Sequence, residues 1–287
     1  MRACPIFVGL FFPQELNKWL TSCANPNKLI PFYCQANSDL MDPIRISVIG
    51  IDGSGKSSTT MRSIFSLSKH FSICKPGRMA FSIYQGNPNM FLPEISIFFE
   101  SLFKKADRTK KRYLIGLSRI IFVLYQNWLE PLMIRKFSPR IVLSTRCMII
   151  DSAIYSGFYY PALQRIPIDR RFKFISRCTK LPFRDLYFFL ETPINEAIER
   201  IHRRIAQEQG DYLLNREYWL HLHENQQTLT VLAQNFRQGL ADAQRLNCFH
   251  VVEIDTSKFN EAEVSGRISD LTVRFLQNPF QEKWIRI

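Results

Sequence analysis

The residues with the most chemistry in their spacing run from Gly50 to Ser57. They read Gly50-x-x-x-x-Gly55-Lys56-Ser57, with Asp52, Gly53 and Ser54 inside. This is the Walker A pattern without a mismatch. Glycines let consecutive backbone N–H groups turn inward, and such a curl accepts phosphate oxygens. A helix beginning after Lys56, with Ser58 in its first turn, adds the positive end of its dipole at the same point. Lys56 then suits the β and γ phosphates of a nucleotide, and the Ser57 hydroxyl suits Mg²⁺. The alternative is a chance glycine-rich turn. The apolar run Ile46, Val48, Ile49 before the loop and Thr59-Thr60-Met61 after it speak against that.

Further polar residues stand where an open parallel sheet would gather them, at the carboxyl ends of strands. Tyr84 to Asn87 follow the second expected strand, Thr145 to Asp151 the third, Glu191-Thr192 the fourth and Asp255 the fifth. Tyr84 is a candidate to touch an acceptor. Arg146 is placed to meet a phosphate, or is a surface arginine. Asp151 is placed for a metal, a water or a sugar hydroxyl, or is a helix cap.

These residues need elements to hold them. Strands are expected at Ile44–Ile49, Arg78–Tyr84, Arg140–Thr145, Asp185–Leu190 and Phe249–Ile254, with Gln85 to Pro88 as a loop. Helices are expected at Ser57–Phe71, Leu92–Lys105, Lys110–Phe137 with a kink at Pro131, Pro193–Arg204, Glu217–Gln238 and Glu261–Leu276. Gly239 is placed to end the fifth of these. Strands spaced by helices imply a parallel sheet covered on both faces, here of five strands. Residues 43–287 read as one α/β domain. Residues 1–42, rich in proline, read as an appended segment of unassigned role, with a short helix from Pro13 to Leu20.

Composition sets the outer limits. The chain has 287 residues, 46% of them hydrophobic, enough for a sizeable core. Its formal charge of +13 favours anionic partners: nucleotides, nucleic acid or a membrane surface. Of the 7 cysteines, none forms a C-x-x-C pair and the count is odd, which reads as reduced thiols in the cytoplasm. His221 and His223 lie two apart and would point to different helix faces, so they do not suggest a metal site. Ile6 to Phe12 is too short to span a bilayer, which takes ~20 residues. It also lacks the flanks of a signal peptide, so no membrane association is expected.

Three segments together resemble the thymidylate kinase and deoxynucleoside kinase group of P-loop proteins. Gly50-Ile51-Asp52-Gly53-Ser54-Gly55-Lys56-Ser57-Ser58 is similar to that family's G-x-D-G-x-G-K-S-T loop. Asp185-Leu186-Tyr187-Phe188-Phe189-Leu190-Glu191-Thr192-Pro193 is similar to its D-L-x-x-x-L-D-x-P segment, and Thr145-Arg146…Asp151-Ser152 to its D-R-x…D-S segment. The resemblance spans most of residues 43–287. It implies a five-stranded parallel P-loop core with a helical lid. It also implies ATP and Mg²⁺ as cofactors, and phosphoryl transfer to a nucleoside or nucleoside monophosphate. By the same resemblance Asp52 faces the acceptor's sugar and Arg146 holds its phosphate end. The loop has no arginine of its own. The family then implies a lid arginine at the transferred phosphoryl group, with Arg200, Arg203, Arg204 and Arg216 in the right part of the chain and Arg204 as the candidate. A homodimer stays open.

Two departures bear on the acceptor. Thr145 stands where the family has an aspartate, leaving Asp151 and Glu191 as the carboxylates that would take its place. Tyr84-Gln85-Gly86 stands where thymidylate kinases carry an R-E-P-type motif. Phe98, Phe103 and Tyr125 are candidates to stack on a base, or are an ordinary core stripe. A second reading is a P-loop protein that binds nucleotide as a switch, or binds nucleic acid through its basic surface, without kinase turnover.

Overall fold

The computed structural model describes residues 42–76, 81–85, 87–91, 93–179, 183–207, 224–246, 249–281 and 284–287. The expected Pro13–Leu20 helix, Arg216 and the two histidines at 221 and 223 lie outside them.

Strand β1 (Ile44–Gly50) is an apolar run whose last five residues are buried, as a strand covered on both faces requires. The loop leads into α1 (Lys56–Leu67). Then follow β2 (Ile73–Pro76), β3 (Phe81–Gln85), β4 (Asn87–Phe91), α2 (Pro93–Arg108), α3 (Arg112–Phe137) and β5 (Ile141–Ser144). The second half holds α4 (Met148–Tyr159), a 3₁₀ turn at Pro161–Arg165, α5 (Ile168–Thr179), β6 (Leu186–Glu191), α6 (Ile194–Gln207), α7 (Gln226–Leu246), β7 (His250–Asp255), α8 (Glu261–Gln277) and β8 (Trp284–Arg286).

Among the described residues the strands form one sheet of eight in the order β4-β3-β2-β5-β1-β6-β7-β8. The five-stranded sheet expected from the sequence is therefore corrected to eight. Six strands, β2, β5, β1, β6, β7 and β8, run parallel, while β3 pairs antiparallel with β2 and β4 pairs antiparallel with β3. The P-loop α/β class is as expected: the glycine loop leaves the central strand, and helices cover both sides. The expected strand over Arg78–Tyr84 is β3, and β2 is an additional strand before it. Asn87-Pro88, expected in a loop, opens the edge strand β4. Pro lacks an N–H for the ladder and is tolerated at an edge.

Alternation along the strands builds the two faces. Ile46, Val48, Leu186, Phe188 and Leu190 pack with Ile64 of α1 and Val264 and Ile268 of α8. Ile49, Tyr187, Phe189 and Val251 pack on the other side with residues of α4, α6 and α7. Helix α8 begins on a capping box, the Asn260 side chain accepting from the Glu263 amide while Glu263 accepts from the Asn260 amide. Helix α3 continues through Pro131.

Helix α7 does not end at Gly239 but passes it and continues to Leu246. A Cβ there would lie 3.2 Å from Phe172 Cζ and 3.4 Å from Ile168 Cγ2. The glycine serves the close approach of α7 to α5, which a helix-end reading of the sequence misses.

Candidate functional site

The loop after β1 has the backbone its glycines announce. Gly53 and Gly55 have φ of 82° and 84°, in the left-handed region that side chains rarely enter. Gly55 is the N-cap of α1, so the amides of the helix's first turn face the loop without partners inside the helix. Inside the curl, Lys56 Nζ donates to Ile51 O at 2.5 Å and lies 3.9 Å from Asp52 Oδ1. The Ser54 hydroxyl is buried and has no hydrogen-bond partner among the described residues. Ser57 and Ser58 are exposed at the start of α1, and Ser58 Oγ donates to Gly55 O at 3.0 Å.

Opposite the loop stands the start of α4. Arg146 lies just before this helix and is exposed, with Asp52 and Asp151 as its charged neighbours. The Asp151 carboxylate, buried in the first turn, reaches back to accept from the Cys147 amide at 2.7 Å. It thus acts from within the helix to satisfy the amide of the cap residue, and is not itself the cap. One turn on, Tyr155 donates to Asp52 Oδ2 at 3.3 Å, bridging the helix and the loop. Tyr155 was not singled out from the sequence, although the i, i+4 spacing from Asp151 places both on one helix face.

The electrostatics tie the group together. Burial pulls the Lys56 ammonium below the ordinary lysine value; Asp52 opposes this, Arg146 adds to it, and Asp151 and Arg204 contribute less. Crowding works against the charge on Arg146, but Asp52 and then Asp151 more than reverse it and hold the guanidinium firmly protonated. Burial pushes the Asp151 carboxyl up to about 6, with Arg146 and Lys56 pulling the other way. Lys56, Asp52, Arg146, Asp151 and Tyr155 therefore form one cluster of alternating charge beside the glycine loop.

The remaining candidates are placed as follows. Helix α6 is seated against the loop: a Cβ on Gly53 would come within 2.9 Å of the Ala197 carbonyl carbon. Arg200 and Arg203 pair along the helix with Glu196 and Glu199 at 3.0 and 2.8 Å. Arg204 instead reaches off the helix to Glu224, at 3.1 Å. Glu191 is bound to Arg237 and, at 3.1 Å, to Arg286. Of the two carboxylates considered for the place of Thr145, only Asp151 stands in the cluster. Tyr84 packs on α1, its ring edge-on to Phe65 and its hydroxyl 3.9 Å from Met61 Sδ, and is not brought to the cluster. Phe103 is buried edge-on against Phe122 with the Arg119 guanidinium over its ring. Burial pushes the half-buried Tyr125 phenol up to about 12, and Phe98 is 39% exposed.

Among the described residues no cluster of three or more His, Cys, Asp or Glu could hold a metal ion by itself. Mg²⁺ makes a lesser demand, since it keeps several waters and takes one or two carboxylates plus substrate phosphates. The residues expected to meet it are the buried Asp151 carboxylate, which already accepts from the Cys147 amide, and the exposed Ser57 hydroxyl. Among the described residues, no helix is long and apolar enough to cross a membrane.

No protein-family model matches the chain, and neither does any curated protein. Among solved structures, it is similar to two of deoxyadenosine kinase from M. mycoides. One has products dCMP and a flexible dCDP bound, at 16% identity and a TM-score of 0.49. The other has bound dATP, at 16% identity and a TM-score of 0.47. Each comparison covers 80% of this chain and 100% of the other.

Proposed function

We propose that the protein transfers the terminal phosphoryl group of ATP to a nucleoside or nucleoside monophosphate. The observation that carries this reading is the direct contact between the glycine loop and an acceptor-type cluster: Tyr155 bonds to Asp52 of the loop, while Asp52 and Asp151 flank Arg146. A loop that only held a nucleotide would not need a second group of paired charges on the facing helix.

In this reading the loop amides and Lys56 hold the phosphates. Gly50 and Gly53 let the loop close tightly against Leu190 and Ala197, and the unpartnered Ser54 hydroxyl lies within that curl. Asp151 and Ser57 would hold Mg²⁺, which when bound neutralises charge on the β and γ phosphates. Asp52, steadied by Tyr155, orients a sugar hydroxyl. Arg146 meets the phosphate end of the acceptor, whose planar fork of donors suits it to phosphate oxygens. Arg204, on the helix seated against the loop, stabilises charge on the group in transit.

The test is acceptor-dependent release of ADP from ATP and Mg²⁺ over a panel of nucleosides and nucleoside monophosphates. Release with at least one acceptor, abolished in Lys56→Ala without loss of fold, is the expected result. ATP binding with no acceptor-dependent release from any member of the panel would overturn it.

A further inference from the structure

The buried carboxylate Glu224, just before α7, meets the arginine that projects from the loop-facing helix. We infer that Glu224 is a positioning residue for Arg204, fixing the guanidinium where it can act on the phosphoryl group in transit. The inference rests on the phosphoryl-transfer reading above.

Three observations support it. The first is helical geometry. Ala197 and Ile201 are the buried residues of α6, and the Ala197 carbonyl abuts the loop at Gly53. Arg204 follows Ala197 by seven residues, two turns along on nearly the same face. It therefore leaves the helix on the side that touches the phosphate loop, whereas Arg200 and Arg203 are engaged in pairs along the helix surface.

The second is the contrast in burial across the pair. Glu224 has 6% of its side chain exposed and Arg204 has 48%. An exposed pair contributes little, because two long side chains must be ordered against water. Here one partner is already fixed by burial, so the arginine is the one that gains order. A guanidinium carries five N–H donors in a rigid fork, so an arginine steadied through one nitrogen still presents donors to a second anion.

The third is how Glu224 itself is held. Asn225 caps α7: its side chain accepts from the Thr228 amide at 2.9 Å, and its carbonyl from the Leu229 amide at 2.9 Å. Glu224 is the residue immediately before that cap, so its backbone is set by the start of a 21-residue helix. A carboxylate beside a helix N-terminus is also favoured by the dipole. Arg204 is, in addition, among the charges that hold down the Lys56 ammonium, as a group near the loop must be.

The experiment is a double-mutant cycle on the full chain, with turnover, ATP affinity by calorimetry and thermal melting read for each protein. Arg204→Ala is expected to lower kcat by about 10³-fold, the scale of an arginine that stabilises transferring phosphoryl charge. Glu224→Gln, which keeps the shape, is expected to lower kcat by at least ~10-fold while the KM for ATP stays within ~3-fold, since a transition-state contact is lost and not ground-state binding. Glu224→Asp is expected to recover part of that loss. Adding Glu224→Gln to Arg204→Ala is expected to cost no more than a further ~2-fold, because the carboxylate then has nothing to position. An equal loss from Glu224→Gln in both backgrounds, or wild-type turnover in Glu224→Gln, overturns the assignment while leaving kinase activity standing. A wild-type chain inactive with every acceptor overturns the kinase reading, and the assignment with it.

Discussion

The Ala197 carbonyl of α6 stands so close to Gly53 that a Cβ there would lie within 2.9 Å of the carbonyl carbon and 3.0 Å of Ala197 Cα. Gly53 also has φ of 82°, so two separate constraints require glycine at this position. The loop and α6 are therefore packed directly on each other at Gly53 and Ala197. Gly53→Ala is expected to push α6 off the loop. ATP affinity by calorimetry should fall at least ~10-fold, and the melting temperature should fall too, because overpacking of this kind costs about 1–3 kcal/mol. Undiminished ATP affinity in a folded Gly53→Ala protein would show that α6 is not braced on the loop.

The loop and its flanking elements were legible because their signals are local. The glycine spacing, the apolar run of β1 and the stripe Ala197 and Ile201 on α6 each sit within a few residues of what they specify. Elements defined by distant partners were not. β2 is four residues long and ends on Pro76, and it is a strand because it lies against β5. Gly239 reads as a helix end until Phe172 of α5 is seen beside it. In the site, Lys56 was singled out from the loop's spacing, Arg146 and Asp151 from their place after a strand, and Asp52 from the resemblance to the kinase group; the structure brings the four together. Glu224 was not, because the segment between α6 and α7 says nothing of which carboxylate meets Arg204.

Asp151 supplies a prediction about pH. Burial raises its carboxyl to about 6, with Arg146 and Lys56 opposing. The folded value stands above the unfolded one, so the folded state holds the proton more tightly. The stability contributed by this group is present at low pH and is lost as pH rises through about 6. Asp151→Asn should therefore gain stability relative to wild type between pH 4 and pH 7.5, by up to ~3 kcal/mol if the full difference is realised. Urea titrations at the two pH values measure it. Under the proposed function the ionised carboxylate is the working form, so wild-type kcat/KM should rise with an apparent pKa near 6 and the variant's residual rate should lose that step. A gain from Asp151→Asn that is the same at both pH values would refute the titration.

A second buried ion pair serves the fold alone. Arg184, just before β6, donates to both oxygens of Glu130 on α3, at 2.5 and 2.8 Å, and both side chains are nearly inaccessible. Burial pushes the Glu130 carboxyl up, but the charge and hydrogen bonds of Arg184, with Arg45 adding to them, hold it below the ordinary value. Removing one partner strands the other, so Glu130→Ala should cost about 3–5 kcal/mol. The double replacement Glu130→Met with Arg184→Met should cost less than either single change. Neither should alter ATP affinity in the folded protein, since the pair lies at the start of β6 and the loop at the end of β1. Chemical denaturation of Glu130→Ala, Glu130→Met, Arg184→Met and the double variant, with calorimetry, measures both claims. A double variant less stable than both singles would contradict this account.

Gly116 lets α3 approach closely the end of α4, the helix that carries Asp151 and Tyr155. It lies in α3 beside the end of α4, and a Cβ there would fall 2.7 Å from Tyr160 Cε2 and 2.9 Å from Tyr159 Cβ. The same junction is fixed by the Tyr160 hydroxyl, which donates to Tyr113 O at 3.2 Å. Tyr160 can swing, but Tyr159 Cβ is bound to the backbone of the helix that carries Asp151 and Tyr155. Gly116→Ala gains up to about 1 kcal/mol of helix propensity and loses more than that to overlap, about 1–3 kcal/mol. The net change should be destabilising. The displacement should reach the cluster through α4 and not the loop, which hangs from β1. The KM for the acceptor should therefore rise while ATP affinity stays at the wild-type value. A raised acceptor KM together with weakened ATP binding, or weakened ATP binding alone, would mean that α4 is not the element that sets the acceptor's position.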